Sequence, residues 1–377
     1  MRNTDIIVIG GGIAGLSAVA RLAAHRETIL LEAEEAIGFH SSGRSATFCH
    51  FGIGDALVHS LTSIGKASFA ESAAGDRTIA RRMAALFIAR AGERAELEAL
   101  EMRTRRYSPD ARIVAGEELT DIVPILKTGA DGYAAGVFDP ECYKLDSDAM
   151  LQAHARSLRD AGGSIVTDAR ATAIGRNGEN WVVETAEESY CAPLLVNAAG
   201  SWADHIATMA GAATIGLQPL RRTIIAFGAP DDIDVSGWPF TKTIAGDGFY
   251  MLPEGSGRLL ASPMDETPSA PCDAQPEEID VATAAWRVEQ GTTMTLDRIA
   301  HSWAGLRSFA PDNRPVAGFA ADAPGFFWLA GQGGFGLQTS PAMAMASEAL
   351  LLDQDWPEPL EKAGVAPEAL SPARFTA

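Results

Sequence analysis

One short segment near the start, Gly10-Gly11-Gly12-Ile13-Ala14-Gly15, constrains the chain more than any other feature. It follows Asp5 to Ile9, a β-branched run that reads as a buried strand, and it opens Ile13 to His25, an Ala-rich segment that reads as a helix. Thr28 to Leu31 reads as a second strand, with Glu32 at its end, 22 residues beyond Gly10. A GxGxxG turn in such a strand-helix-strand setting is a dinucleotide-binding fingerprint. Gly10 permits the tight turn, Gly12 lets the backbone approach a pyrophosphate, and Gly15 allows close helix packing. The helix N-terminus at Ile13 and Ala14 stabilises phosphate charge, and Glu32 accepts hydrogen bonds from a ribose. The motif alone leaves NAD and FAD both open.

A chain of 377 residues exceeds one average domain. Thirty Lys and Arg against 49 Asp and Glu give a net charge of −19, which repels nucleic acid and anionic lipid over most of the surface. Cys49, Cys142, Cys191 and Cys272 are widely separated and show no metal-ligand spacing, so reduced cytoplasmic thiols are expected and a metal site is not. The first residues do not resemble a signal peptide, and no apolar run reaches the ~18 residues that a membrane span needs.

Downstream, Asp146 caps a helix with apolar positions Met150, Leu151, Ala155 and Leu158, and the stop at Gly162-Gly163 leads into the strand Ser164 to Val166. Trp181 to Val183 and Leu194 to Val196 add strand-like runs of the same parallel-type unit. Gly248 to Ser262 has a different character, because two apolar runs flank Pro253-Glu254-Gly255-Ser256-Gly257 as in a hairpin. Ala84 to Ile88 and Thr223 to Phe227 are candidates to join that antiparallel sheet, and Pro276 to Gln290 reads as a helix covering one face. At the end come the strand Phe326 to Ala330, the glycine turn Gly331 to Gly336 and an Ala- and Met-rich helix, Thr339 to Leu352.

Several strings together resemble the D-amino-acid oxidase superfamily. They are the fingerprint, Glu32, His40-Ser41-Ser42-Gly43-Arg44-Ser45, Val196-Asn197-Ala198-Ala199-Gly200 and Gly331-Gln332-Gly333-Gly334-Phe335-Gly336. Within it, Gln218 to Arg222, Trp303 to Phe309 and Gln332 to Ser340 are most similar to the bacterial D-arginine dehydrogenases. The resemblance implies an α/β fold with a Rossmann-type FAD-binding domain (1–48, 145–215, 305–377) interleaved with an antiparallel-sheet α+β substrate domain (49–144, 216–304). It also implies FAD contacts at Ser41, Ser42, Arg44, Ser45, Ala171, Ala199, Gly200, Arg307, Gly331, Gly333, Gly334, Phe335, Gly336 and Gln338. Some relatives attach the flavin through a cysteine shortly after the Arg307 motif. Ser308 to Phe327 contains none, so non-covalent FAD is expected.

Oxidation of an amino acid by a flavin needs the carboxylate held and Cα–H aimed at flavin N5. Arginine is the natural clamp, being planar, bidentate and always charged. By resemblance Arg222 and Arg307 take this role, Tyr250 adds a hydroxyl, and Gly305 and Gly334 offer backbone contacts. The plainer alternatives are arginines paired with nearby acids and a core aromatic. His50, in a pocket-lining loop, can titrate near neutral pH or be merely structural. The D-arginine dehydrogenases have histidine, threonine and tyrosine in that loop where Phe48, His50 and Ile53 stand here. Ala85 aligns with the glutamate that serves their cationic substrate side chain, and Met83 to Ala89 contains no acid.

The expectation is therefore an FAD-dependent D-amino-acid dehydrogenase acting on a neutral or apolar side chain, giving a 2-oxo acid and ammonia. Electrons pass to a quinone or another acceptor than oxygen, and the protein is cytoplasmic or peripheral to the inner membrane. Two alternatives stand beside it: oxidation of a secondary amino acid or a 2-hydroxy acid, the latter with His50 as base, and a flavin-binding subunit of a larger complex.

Overall fold

The computed structural model describes residues 1–73, 79–231 and 233–375. Among these residues the strands form four sheets, of which two dominate. The first has Ile6–Ile9 at its centre, hydrogen-bonded in parallel to Thr28–Leu31 on one side and Leu194–Asn197 on the other. Ser164–Val166 extends it at one edge and Phe326–Ala330 at the other, both parallel, and Val316–Phe319 closes it antiparallel. Alternation along these strands serves two cores. Ile6, Val8, Leu30, Val196 and Phe327 face one, while Ile7, Ile9, Ile29, Leu195 and Trp328 face the other. Helices Ile13–Leu22, Ser147–Asp160 and Gly336–Leu351 pack in the first core, which is why the strands read as unbroken apolar runs.

The helix Ser147–Asp160 starts where Asp146 accepts a hydrogen bond from the Ala149 amide at 2.9 Å. The helix Ile13–Leu22 is shorter than its sequence suggests and gives way to a turn through Ala24 and His25. The C-terminal helix Gly336–Leu351 begins three residues earlier than expected, at the last glycine of the turn. Pro341 inside it has no amide for the Leu337 carbonyl, and Ser340 Oγ donates to that carbonyl at 2.9 Å instead.

The second large sheet is mixed. The hairpin Tyr250–Pro253 and Arg258–Ser262 pairs with Gln218–Gly228 and Phe240–Thr243, and Gln218–Gly228 pairs along its length with Ile299–Phe309. Phe240–Thr243 runs parallel to Ala85–Ala89, a departure from the purely antiparallel expectation. The helix Glu278–Gly291 covers one face, over Ile225, Phe227 and Phe249. Asn180–Glu184, which contains Trp181 to Val183, leaves the parallel unit and belongs to a small side sheet, paired antiparallel with Ala173–Asn177 and Ser189–Ala192.

Candidate active site

A cavity of about 620 Å³ runs from the fingerprint turn to the face of the second large sheet opposite the helix Glu278–Gly291. At its first end the strand Ile6–Ile9 delivers the chain into Gly10, whose φ of +114° belongs to glycine, and an added Cβ there would collide with the Ala198 carbonyl. Gly12, Ile13 and Ala14 line the cavity at the start of their helix, and the Ile13 amide donates to Ser42 Oγ at 2.9 Å. Gly15 lies outside the lining, packed on the Gly10 carbonyl. Glu32 is buried, and its carboxylate accepts from the Gly11 amide at 2.6 Å and the Glu34 amide at 2.9 Å. Both oxygens keep further lone pairs for ribose hydroxyls.

The turn Gly331 to Gly336 also lines the cavity, with Gly336 close to Ile13. Gln332 lines the cavity there, and its buried Nε2 has no hydrogen-bond partner. A buried donor left unpaired is costly unless a ligand accepts from it. The glycine cradle, the anchored Glu32 and this open donor all fit an FAD lying along the cavity.

Ser41, Ser42, Ser45, Ala171, Ala199, Gly200, Arg307, Gly331, Gly333, Gly334, Phe335, Gly336 and Gln338 all line the cavity. Two of the residues expected to touch FAD also have structural duties. Arg44 lines the cavity but donates to the carbonyls of Phe39, Ala274 and Ala304 and pairs with Asp273 at 2.6 Å, so it ties its loop to the second sheet. Gln338 donates to the His50 carbonyl and to Thr62 Oγ1, which fixes the His50 loop on the C-terminal helix.

Strand parity builds the substrate end. Arg222 is opposite Gly305 and Leu220 opposite Arg307, so Arg222, Gly305 and Arg307 share a face. On neighbouring strands Lys242 is opposite Tyr250, and both line the same cavity with Phe240, Ile224, Phe48, His50 and Ile53. Arg222 is held by the Asp265 carbonyl at 2.7 Å and the Glu266 carboxylate at 2.8 Å. Arg307 is different, for among the described residues no carboxylate lies within 4.0 Å of it. Burial and the neighbouring Arg222 pull its guanidinium down to about 10. The Tyr250 hydroxyl is buried and unpartnered.

His50 does not titrate near neutrality. Burial, then Lys242 and Arg307, pull it down to about 3. Its Nδ1 accepts the Gly52 amide at 3.0 Å, and its ring stacks on Phe240 at 5.1 Å. The proton of the neutral ring therefore sits on Nε2, a donor and not a base.

Ala85 corrects the expectation further. It is fully buried in the core cluster beside Phe240, its register partner on the neighbouring strand, and does not line the cavity. Lys242 and Glu266, which do line it, were not among the expected residues. Their signal was weak: Lys242 lies two residues after Phe240 in a four-residue strand, and Glu266 follows the hairpin in a loop.

None of the four cysteines lines the cavity, and all four are free. Among the described residues no group of His, Cys, Asp and Glu could hold a metal ion, and no helix is long and apolar enough to cross a membrane.

Comparison with known proteins finds relatives in sequence and in fold. Glycine oxidase of Bacillus subtilis is 25% identical over 94% of this chain and 96% of its own. Mitochondrial dimethylglycine dehydrogenase of Rattus norvegicus is 28% identical over 55% of this chain, which spans only 25% of that longer protein. The solved L-α-glycerophosphate oxidase of Mycoplasma pneumoniae, with FAD bound, superposes with a TM-score of 0.84 over 93% of this chain and 95% of its own, at 19% identity. The family model of FAD-dependent oxidoreductases matches residues 5–349, the whole span from the fingerprint strand to the C-terminal helix. The match covers the dinucleotide cradle and the strand that carries Arg307 alike, and the chain belongs to the DAO family of FAD-dependent oxidoreductases.

Proposed function

We propose that this protein oxidises a D-amino acid to the 2-oxo acid and ammonia. The observation that carries the reading is Arg307, a cation at the cavity with no acid of its own, on the same wall as the orphaned Tyr250 hydroxyl. A substrate carboxylate satisfies both. When bound, FAD supplies the two-electron oxidant for the Cα–H bond. The chain's part is to hold the carboxylate at Arg307 and Tyr250, keep Arg222 fixed through Glu266 and Asp265, and exclude bulk water with Phe48, Phe240 and neutral His50. The imine so formed is hydrolysed by water.

In this reading residues 1–48, 145–215 and 305–377 hold FAD and 49–144 and 216–304 hold the substrate. The D-configuration and an acceptor other than oxygen, such as a quinone, are supported by the resemblance of the strings at Gln218, Trp303 and Gln332. A second reading, a secondary or tertiary amino acid, is favoured by the similarity to dimethylglycine dehydrogenases. A 2-hydroxy acid is disfavoured, because His50 as a neutral Nε2–H donor cannot take up its hydroxyl proton.

The test is anaerobic mixing of purified protein with D-amino, L-amino, N-alkyl amino and 2-hydroxy acids, following the oxidised flavin absorbance. Bleaching by D-amino acids is expected. No bleaching by any D-amino acid, whichever other class bleaches the flavin, overturns the proposal. Peroxide released at the dye-linked turnover rate would overturn the choice of acceptor.

A further inference from the structure

We propose that the substrate is dianionic: its side chain ends in a carboxylate that pairs with Lys242 while its α-carboxylate pairs with Arg307. This rests on the amino-acid reading above and extends it to the substrate class.

Lys242 reaches the cavity from the strand Phe240–Thr243, beside Tyr250 on one neighbouring strand and Phe87 on the other. The hydrogen bond its ammonium makes is to the Thr243 carbonyl at 3.1 Å, and among the described residues no carboxylate comes within 4.0 Å of it. The charged groups facing it are Arg222, Arg307 and Glu266, with His50 neutral. Glu266 is engaged by Arg222 at 2.8 Å, and Asp265 accepts from the Thr223 amide and hydroxyl. The wall thus carries three cations, and one of them is already paired.

A buried cation without a partner is costly, and burying two is costlier still. Burial and the two arginines pull Lys242 down to about 8, which leaves it largely charged at neutral pH and short of an anion. A monocarboxylate neutralises Arg307 and leaves Lys242 as it was; a dicarboxylate neutralises both. Phe48 and Phe240, stacked at 4.5 Å, face the methylenes between. The same wall repels a lysine- or arginine-like side chain. The expectation of an apolar side chain rested on Ala85, Phe48 and Ile53; Phe48 and Ile53 do line the cavity, but Ala85 does not reach it, whereas the charged residue two places along the neighbouring strand does.

The holoenzyme is titrated calorimetrically with glutarate and succinate, which it cannot oxidise, and with butyrate and pentanoate. Dicarboxylates are expected to bind about tenfold tighter or more than monocarboxylates of the same length. Lys242→Met should erase that difference and Lys242→Arg should keep it, each with FAD content checked by absorbance. No preference in the wild type, or a preference that survives in Lys242→Met, overturns the proposal; if the Met variant does not fold, Lys242→Gln takes its place. Flavin bleaching by D-glutamate, D-aspartate and D-leucine separates the two readings. Fast bleaching by D-leucine without any Lys242-dependent dicarboxylate preference refutes the dianion and leaves amino-acid oxidation standing. Lys242-dependent dicarboxylate binding without bleaching by any amino acid does the reverse.

Discussion

The guanidinium of Arg307 rests on Gly334, so closely that a Cβ at that glycine would come within 2.7 Å of Nη1 and 3.0 Å of Cζ. The turn that faces the cofactor therefore also sets the height of the substrate clamp. Gly334→Ala should displace the guanidinium and raise KM by about tenfold or more while FAD stays bound, since a small misplacement of a positioning group is enough. Steady-state kinetics together with flavin content check this; an unchanged KM would show that the turn does not position the arginine.

Removing the clamp itself should cost more. Arg307→Ala is expected to cost about 2–5 kcal/mol of transition-state stabilisation, a fall in kcat/KM of about 30-fold to several-thousand-fold, because it leaves the substrate carboxylate buried without its partner. Arg222→Ala should lower it less and lower Tm as well, since Glu266 and Asp265 lose the cation they hold. Equal kinetics for wild type and Arg307→Ala would exclude the clamp.

FAD should be held without a covalent bond. No cysteine lies between Ser308 and Phe327, and none of the four lines the cavity. Acid precipitation is expected to release the chromophore to the supernatant, one per chain. Flavin that stays with the pellet would contradict this.

His50 should give stability an acid limb. Its folded pKa, about 3, lies below the usual histidine value of 6.5, so the unfolded chain binds the extra proton between those limits. Stability from this residue is full above about pH 6.5 and is lost progressively as pH falls toward 3. His50→Asn, whose carbonyl can still accept the Gly52 amide, should flatten the Tm profile between about pH 6.5 and 4. Half-buried His154, pulled down to about 4, and buried His59, also pulled down by desolvation, maintain a residual slope. A profile as steep as the wild type's would place the acid limb elsewhere.

Much of the cofactor half is legible in the sequence because its constraints are local. Gly10, Gly12 and Glu32 lie within 23 residues of one another, and their spacing alone requires a strand, a turn and a helix start. The strand Ile6–Ile9, the Asp146 cap and the hairpin at Tyr250 carry similar short-range signals. The substrate wall obeys a different logic. Lys242 and Arg307 line one cavity only because the strands that carry them lie in one sheet with Gln218–Gly228 and the hairpin between them, a register that no short window of sequence contains. Nor does composition reveal that Glu266 is occupied by Arg222, or that Phe48 and Phe240 reach the cavity while Ala85 does not.

The parity of the second large sheet has a consequence for how such a protein changes its chemistry over time. Ile225, Phe227, Met251 and Leu259 are packed on one side beneath a helix, while Ile224, Phe240, Lys242 and Tyr250 alternate with such positions and look toward the ligand. Backbone hydrogen bonds fix the ladder whatever side chains the second set presents. Ile224 and Phe240 also pack in the core with Phe48 and Leu252, so of this set the half-buried Lys242 is the position where drift, or a substitution library, retunes selectivity at the least cost to the scaffold.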